Sequence, residues 1–406
     1  MVNVAVLGYG TVGSGVVEVI RTNQKVINQR VGEELNLKYV LDLRDFPGDP
    51  VQEIITHDFE DIINDEEINI VVEVMGGIEP AYTFVKRSLE AGKCVATSNK
   101  ALVAKHGAEL LKIAKEKNVN FLFEASVGGG IPILRPLHSS LTGDVIEEIT
   151  GILNGTTNYM LTKMFYEGAD YDAVLKEAQD NGYAERNPEA DVEGYDACRK
   201  IAILSSIISG RQVDFEDIYC EGITKITVED MKYAKEMGMT IKLLASCKRE
   251  GEKLCAMVSP CLLHKSHPLF SIDGVFNAIF VHGNMLGDAM FYGSGAGKLP
   301  TASAVVGDIV EEAKHLNKNL GVMWSEAKLN LESKEELNRQ FFVRVKGSEA
   351  TLKERICAVF GEVTVVNVED VQGEFGFVTP LMPERDYEQK AAAFQDCIIG
   401  MIRVEK

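Results

Sequence analysis

The chain has 406 residues, 46% hydrophobic and 25% charged, which fits a folded protein of two or three domains and excludes a wholly disordered one. Its 61 acidic residues outnumber 42 basic ones, a formal net charge of −19, which argues against nucleic acid or an anionic membrane as a partner held by charge. No apolar run is long enough for a membrane span, the opening MVNVAVLG has no secretory n-region, and the eight cysteines form no CxxC or metal spacing, so a cytoplasmic protein with reduced thiols is expected.

Val2–Leu7 is a short Val-rich run that reads as a strand buried on both faces. A glycine-rich turn follows, then a helical run through Val16, Val17, Val19 and Ile20. Strands are expected at Lys38–Leu43, Asn69–Met75, Lys93–Thr97 and Asn120–Glu124, with helices at Glu79–Ala91 and Ala104–Lys117. Strict alternation points to an α/β domain with a doubly wound parallel sheet. After Gly128-Gly129-Gly130 the rhythm changes to a mixed α+β pattern, with strands at Val145–Leu153 and Asn277–Val281 and helices at Leu175–Gln179 and Arg199–Ser209. Thr301–Leu316 reads as a helix returning to the first domain. The charged stretch Ser325–Asn338 fits a linker.

The tail reads as βαββαβ, a ferredoxin-like order. Its strands are Phe341–Val345, Val363–Val368, Phe375–Leu381 and Met401–Val404. One helical face is Leu352, Ile356, Val359 and Phe360; the other is Tyr387, Ala391, Phe394 and Ile398. The expected organisation is therefore a nucleotide domain over 1–127 with a return helix at about 300–318, a catalytic and dimerisation domain over 128–299, a linker over 319–339 and a small domain over 340–406.

Five motifs and one strand end carry chemistry. Gly8-Tyr9-Gly10-Thr11-Val12-Gly13 follows a buried strand and opens a helix, the context in which GxGxxG binds a dinucleotide pyrophosphate in a Rossmann-type fold. At the end of the second strand stand Asp42 and Arg44; an acid there favours NAD and an arginine NADP, and the pair leans to NADP with dual use open. Lys100 follows the fourth strand, at the sheet's carboxyl edge, as a surface charge or a catalytic amine. Glu124 with Gly128-Gly129-Gly130 offers a carboxylate and exposed carbonyls to a hard cation, or is simply a domain-crossing hinge. In the dense run Gly182–Lys200, Asp196 and Lys200 are i and i+4 on a helix, so a carboxylate lies beside an acid/base amine, and Glu185 adds an anion for a substrate ammonium. Gly293-Ser294-Gly295-Ala296-Gly297 lets the chain pass close to a nicotinamide or phosphate, or is a plain linker. His138, His264, His267 and His282 lack spaced partners, and Cys94 lies inside a strand, away from where a nucleophile would be accessible.

Taken together, the strings GYGTVGSG, VVEVMGGIEP, TSNKALVAKHGAEL, EASVGGGIPI, GILNGTTNYMLTKM, GYAERNPEADVEGYDACRKIAIL and MFYGSGAGKLPTASAVVGDI closely resemble the homoserine dehydrogenase family, and the tail resembles, more loosely, an ACT regulatory domain. The resemblance implies reversible NAD(P)H-dependent reduction of L-aspartate 4-semialdehyde to L-homoserine, in the biosynthesis of threonine, methionine and isoleucine. It implies Lys200 as acid/base lysine with Asp196 beside it, Lys100 as a second substrate-side lysine, and Glu185 with Gly182 at the substrate. It places Gly76, Lys100 and Gly297 at the cofactor, and a monovalent cation, sodium, at Glu124, Val127, Gly129 and Ile131. It further implies a homodimer or higher homo-oligomer; for the tail, dimerisation is the first expectation, since the loop Lys346–Thr351 has Gly347 but not the usual Asp/Asn-Arg-Pro-Gly pattern, and binding of an effector, threonine or another pathway product, is the alternative. The stretch from Arg30 to Pro50 departs from the family pattern. The rival enzyme, a semialdehyde dehydrogenase forming an acyl phosphate, needs a cysteine nucleophile; a dinucleotide-sensing regulator would leave the lysines and acids idle.

Overall fold

The computed structural model describes residues 1–321 and 323–405. They divide into two compact units, residues 1–145, 202–215 and 291–330, and the remainder. The first unit holds a six-stranded parallel sheet in the order Ile55–Thr56, Leu35–Leu41, Val2–Leu7, Ile68–Glu73, Cys94–Thr97, Phe121–Leu122. Val2–Leu7 is buried along its whole length, as a central strand covered on both faces must be. The return helix Lys298–Lys314 packs on the first helix Thr11–Val31. A β-carbon at Gly15 would meet Lys298 O at 2.8 Å and the Ala302 Cβ at 2.9 Å, so only glycine permits this approach.

The strand expected to run to Glu124 stops at Leu122. Glu124 already has helical dihedrals (φ −50°, ψ −43°) and opens a single turn, Ala125–Gly128. The stretch expected as a linker is partly ordered: Ser325–Lys328 pairs with Arg211–Gln212, and Trp324, 2% exposed, donates its indole N–H to Gln212 Oε1 at 2.9 Å. Its ring fills the space that Gly107 leaves open.

The second unit is built on an eleven-stranded sheet. Its main path runs Gly287–Ser294, Phe276–Gly283, Ile146–Ile152, Met239–Glu250, Lys253–His264, Ile398–Glu405, Asn338–Lys346, Glu374–Val378, Thr364–Val366. The antiparallel hairpin Met239–Glu250 with Lys253–His264 forms its centre and is buried almost throughout. In the tail, the four strands and the helices Glu349–Phe360 and Glu384–Ala391 take the ferredoxin-like strand order. They enclose Phe341, Val343, Phe360, Phe375, Phe377 and Tyr387. Ile398 was expected on the second helical face; it begins the last strand instead, because the helix ends at Ala391 and tightens into a 3-10 turn through Phe394.

That last strand has two neighbours. It pairs antiparallel with Asn338–Lys346 inside the tail and parallel with Lys253–His264 on its other side, Cys261 opposite Arg403. Buried ion pairs follow the same seam. Arg403 donates to Glu384 Oε1 at 2.6 Å and to Glu221 Oε2 at 2.6 Å, Arg344 to Asp230 at 2.8 Å and Glu374 at 2.9 Å, and Lys248 to Glu405 at 2.5 Å. Such pairs contribute little net stability when intact, but removing one partner strands a buried charge. Among the described residues no helix is long and apolar enough to cross a membrane.

Candidate active site

In the first unit, the glycine loop has the geometry a dinucleotide needs. Gly8 has φ +100°, and a β-carbon at Gly13 would lie 1.9 Å from Gly8 O. A β-carbon at Gly10 would meet nothing within 4 Å, so the loop is open above it. The helix starting at Thr11 and Val12 has no side-chain cap and no acid in its first turn, so its N–H groups and positive dipole end suit a phosphate.

Asp42 and Arg44 meet in one place. Asp42 Oδ2 accepts from Tyr9 N at 2.9 Å, while Arg44 donates Nε to Oδ1 at 2.9 Å and Nη2 to Oδ2 at 3.0 Å. The Arg44 guanidinium beside it, more than any other group, holds the Asp42 carboxyl down at about 2. Arg44 itself is mostly exposed.

Glu73 ends the strand Ile68–Glu73 fully buried. It accepts from the backbone N–H of Met75 at 2.8 Å and Gly76 at 3.3 Å, and from Thr97 Oγ1 at 2.6 Å. Burial pushes its carboxyl up. Asn99 binds the same corner: its Nδ2 donates to Gly77 O at 2.5 Å and its Oδ1 caps the helix that begins at Lys100. Lys100 therefore stands at a helix start on the carboxyl edge of the sheet, beside the turn that contains Gly76. Neither Glu73 nor Asn99 is singled out by spacing, although both lie in quoted strings.

Glu124 is 4% exposed, and its carboxylate accepts the backbone N–H groups of Ile133, Leu134 and Arg135 at 2.6, 2.8 and 2.7 Å. Its own N–H donates to Asp308 Oδ2 at 2.8 Å, and Asp308 Oδ1 accepts from Arg135 at 2.5 Å. Burial, with Glu124 adding to it, pushes the Asp308 carboxyl up to about 7. The Glu124 carboxylate is thus committed to three backbone N–H groups, and Val127, Gly129 and Ile131 lie buried in the turn and bend that follow it. Among the described residues no group of three or more His, Cys, Asp and Glu is placed to hold a metal. The two glycine runs touch here: Gly130 N donates to Ser294 O at 3.0 Å, and a β-carbon at Gly129 would lie 2.3 Å from Gly295 O. Gly297, φ +121°, opens the return helix. Cys94 is buried, its thiol pushed up to about 12 by burial, so it offers no thiolate.

In the second unit, Asp196 and Lys200 share one face of the helix Tyr195–Ser209, both nearly buried. Lys200 Nζ donates to Asp196 Oδ2 at 2.7 Å and to Leu153 O at 2.6 Å. Glu185 is exposed on the turn that Gly182 opens at φ +74°. Thr156 Oγ1 donates to Tyr183 O at 2.6 Å, tying that turn to the helix Gly155–Glu167. The arrangement is an amine clamped by one carboxylate and one carbonyl, with an acidic turn fixed to a neighbouring helix.

Comparison with known proteins separates the readings. Residues 8–124 match the sequence model of the homoserine dehydrogenase NAD-binding domain, and residues 132–310 that of homoserine dehydrogenase. A homoserine dehydrogenase of Bacillus subtilis is 42% identical over 371 residues, 89% of this chain and 85% of that relative. The chain belongs to the homoserine dehydrogenase family. One from Mycobacterium tuberculosis is 47% identical over 79% of this chain and 74% of its own length. The solved homoserine dehydrogenase of Thiobacillus denitrificans superposes with a TM-score of 0.91 at 34% identity, covering 100% of this chain and 98% of that one. A hyperthermophilic archaeal homoserine dehydrogenase in complex with NADPH superposes with a TM-score of 0.65 at 29% identity, covering 77% of this chain and 97% of that one. The protein is thus an NAD(P)-dependent oxidoreductase acting on a small molecule. Its six-stranded parallel sheet is Rossmann-like and lies in the part that matches the NAD-binding domain. The acyl-phosphate and sensor readings fall away.

Proposed function

We propose that Lys200 is the acid/base of this homoserine dehydrogenase, and the clamp of Lys200 by Asp196 Oδ2 and Leu153 O is the observation that carries it. A bound nicotinamide cofactor supplies or accepts the hydride at its C4. Lys200 gives its proton to the substrate oxygen as L-aspartate 4-semialdehyde is reduced, and takes it back as L-homoserine is oxidised. Asp196 keeps the amine aimed. Lys100 serves as a second positive charge on the substrate side and at the cofactor. Glu185, with the Gly182 turn, holds the substrate's amino group, which fixes the direction of its reacting carbon.

Gly8, Gly10, Thr11, Val12 and Gly13 cradle the pyrophosphate, with Gly76 and Gly297 at the rest of the cofactor. Arg44 favours NADP, since its guanidinium already neutralises Asp42 and can pair bidentately with a 2′-phosphate. Glu124, Val127, Gly129 and Ile131 would hold a monovalent cation, sodium, which would act on geometry only. The tail, residues 340–406, is an ACT-like module with dimerisation as its first role and an amino-acid effector, threonine or another pathway product, as the alternative. The chain acts as a cytoplasmic homodimer, for which Phe276, Met285, Leu286 and Met290 on the second unit offer exposed apolar surface.

The test is NADPH absorbance with aspartate semialdehyde, with and without phosphate, in wild type and Lys200→Ala. Phosphate-independent oxidation of NADPH by wild type, lost in Lys200→Ala with cofactor binding kept, is the expected result. Wild-type turnover in a folded Lys200→Ala protein would remove Lys200 from the reaction.

A further inference from the structure

Asn154 ends the strand-to-helix connection after Ile146–Ile152 and is 6% exposed. Its side-chain oxygen accepts from Thr157 N at 2.9 Å and Thr157 Oγ1 at 3.0 Å, capping the helix Gly155–Glu167. Its side-chain nitrogen donates to Asp196 Oδ2 at 3.0 Å and to Asp191 Oδ1 at 2.7 Å. The orientation of the amide is forced. Turned over, its oxygen would face two carboxylates and its NH₂ would face the Thr157 N–H. A neutral side chain thus spends both amide hydrogens on two acids while its oxygen locks it to a helix start.

Asp196 Oδ2 is the same atom that accepts from Lys200 Nζ. The preceding residue, Leu153, supplies the other acceptor of that ammonium. Two consecutive residues, Leu153 and Asn154, therefore grip both members of the acid/base pair from a second element of the fold. A helical i,i+4 pair alone leaves a lysine with four rotatable bonds; here the carboxylate it faces is itself held from outside the helix.

We propose that Asn154 is the positioning residue of the acid/base pair: through Nδ2 it fixes the Asp196 carboxylate, and so the direction of the Lys200 ammonium, and it ties both to Asp191. This rests on Lys200 being the acid/base. Asn154 touches no reacting atom, so its effect falls on turnover and not on cofactor affinity.

Serine separates its two jobs, because serine is as good a helix cap as asparagine but lacks the amide donor. Asn154→Ser is expected to keep the wild-type melting temperature within a few degrees and the NADPH dissociation constant within twofold. Its kcat should fall by about 10²-fold, the loss that a small misplacement of a catalytic group produces. KM for homoserine should change much less than kcat. In an Asp196→Ala background the same substitution should add almost nothing, since the carboxylate it acts through is gone. If Asn154→Ser does not fold, Asn154→Asp keeps the cap and the shape and sets a third carboxylate against the other two; it should lose at least as much turnover. A cap-preserving variant with kcat within twofold of wild type overturns the proposal, as does full additivity with Asp196→Ala. Lys200→Ala distinguishes the two levels. If it is dead while Asn154→Ser is normal, only the role of Asn154 fails; if Lys200→Ala is active, the acid/base assignment fails first.

Discussion

Glu312 stands one turn beyond Asp308 on the return helix, and neither of its buried carboxylate oxygens has a hydrogen-bond partner among the described residues. Burial, with Asp308 nearby, raises its carboxyl well above the usual range. The native side chain therefore keeps its proton at pH values where the unfolded chain has lost it. The native state binds more protons, so stability falls as pH rises above about 4.5, by at most about 1.4 kcal/mol per pH unit for one such group. Asp308, raised to about 7, acts with the same sign below that pH. Glu312→Gln copies the protonated form and should flatten this slope. Urea unfolding at pH 5 and pH 7 would show it; an unchanged slope would mean that Glu312 is ionised in the fold.

Lys200→Ala should bind NAD(P)H normally and lose about 10²–10⁴-fold in kcat, the range for a general acid–base group. Asp196→Ala should move the same way by misorienting the amine. Stopped-flow hydride transfer, with cofactor affinity read by fluorescence, separates chemistry from binding. Near-normal kcat in either folded variant would argue against the pair.

Glu185→Gln should weaken homoserine binding more than cofactor binding. The exposed turn loses a charge that faces an ammonium, while the glycine loop is untouched. Initial-rate kinetics with each ligand varied would check this. Equal weakening of both would place Glu185 elsewhere.

Arg44→Ala should raise KM for NADPH more than for NADH, because only NADPH carries the 2′-phosphate. The structure adds a second expectation. Released from Arg44, the Asp42 carboxylate becomes a freer acceptor for a ribose 2′-OH, so NADH should improve or hold. Parallel changes in both cofactors would make Arg44 a surface charge.

Truncation before Ser333 should destabilise the second unit, not release an independent core. It removes Ile398–Glu405 from the side of Lys253–His264, strips Glu221 and Asp230 of their arginine partners, and leaves Lys248 with Glu148 alone. Solubility, thermal unfolding and turnover of the truncated chain would test it. A soluble, fully active product would show that the tail is dispensable to the sheet.

The parallel sheet is legible in the sequence because each of its main strands is a short apolar run punctuated by glycine, lysine or asparagine. The glycine loop is legible because Gly8 and Gly13 are required by sterics. The Asp196–Lys200 pair is legible because i,i+4 spacing puts both on one face. The hairpin Met239–Glu250 with Lys253–His264 is not. Burial on nearly every residue erases the alternation that marks a strand, and lysines and cysteines at covered positions blur it further. The long-range work of Glu73, Asn99 and Asn154 is also hidden: besides its local partners each bonds a group 20 or more residues away, and no local period records that. The commitment of Glu124 to three backbone N–H groups is invisible for the opposite reason: its partners are main-chain atoms, which any residue would supply.

The strand Ile398–Glu405 comes late in the sequence, yet it lies in the interior of the central sheet. Lys253–His264 is made more than a hundred residues earlier; Tyr219–Cys220 pairs with Met257 and Val258 on that side, but Cys261–Leu263 must wait for the late strand. At about 5–20 residues per second, the wait lasts on the order of ten seconds. During that time an apolar strand edge is open to other nascent chains, the condition that favours wrong pairing and chaperone capture. A chain stalled before Ile398 would carry all the proposed chemistry and still be unable to close its own sheet. The sheet therefore closes only after Ile398–Glu405 has been made and has joined Lys253–His264 to Asn338–Lys346.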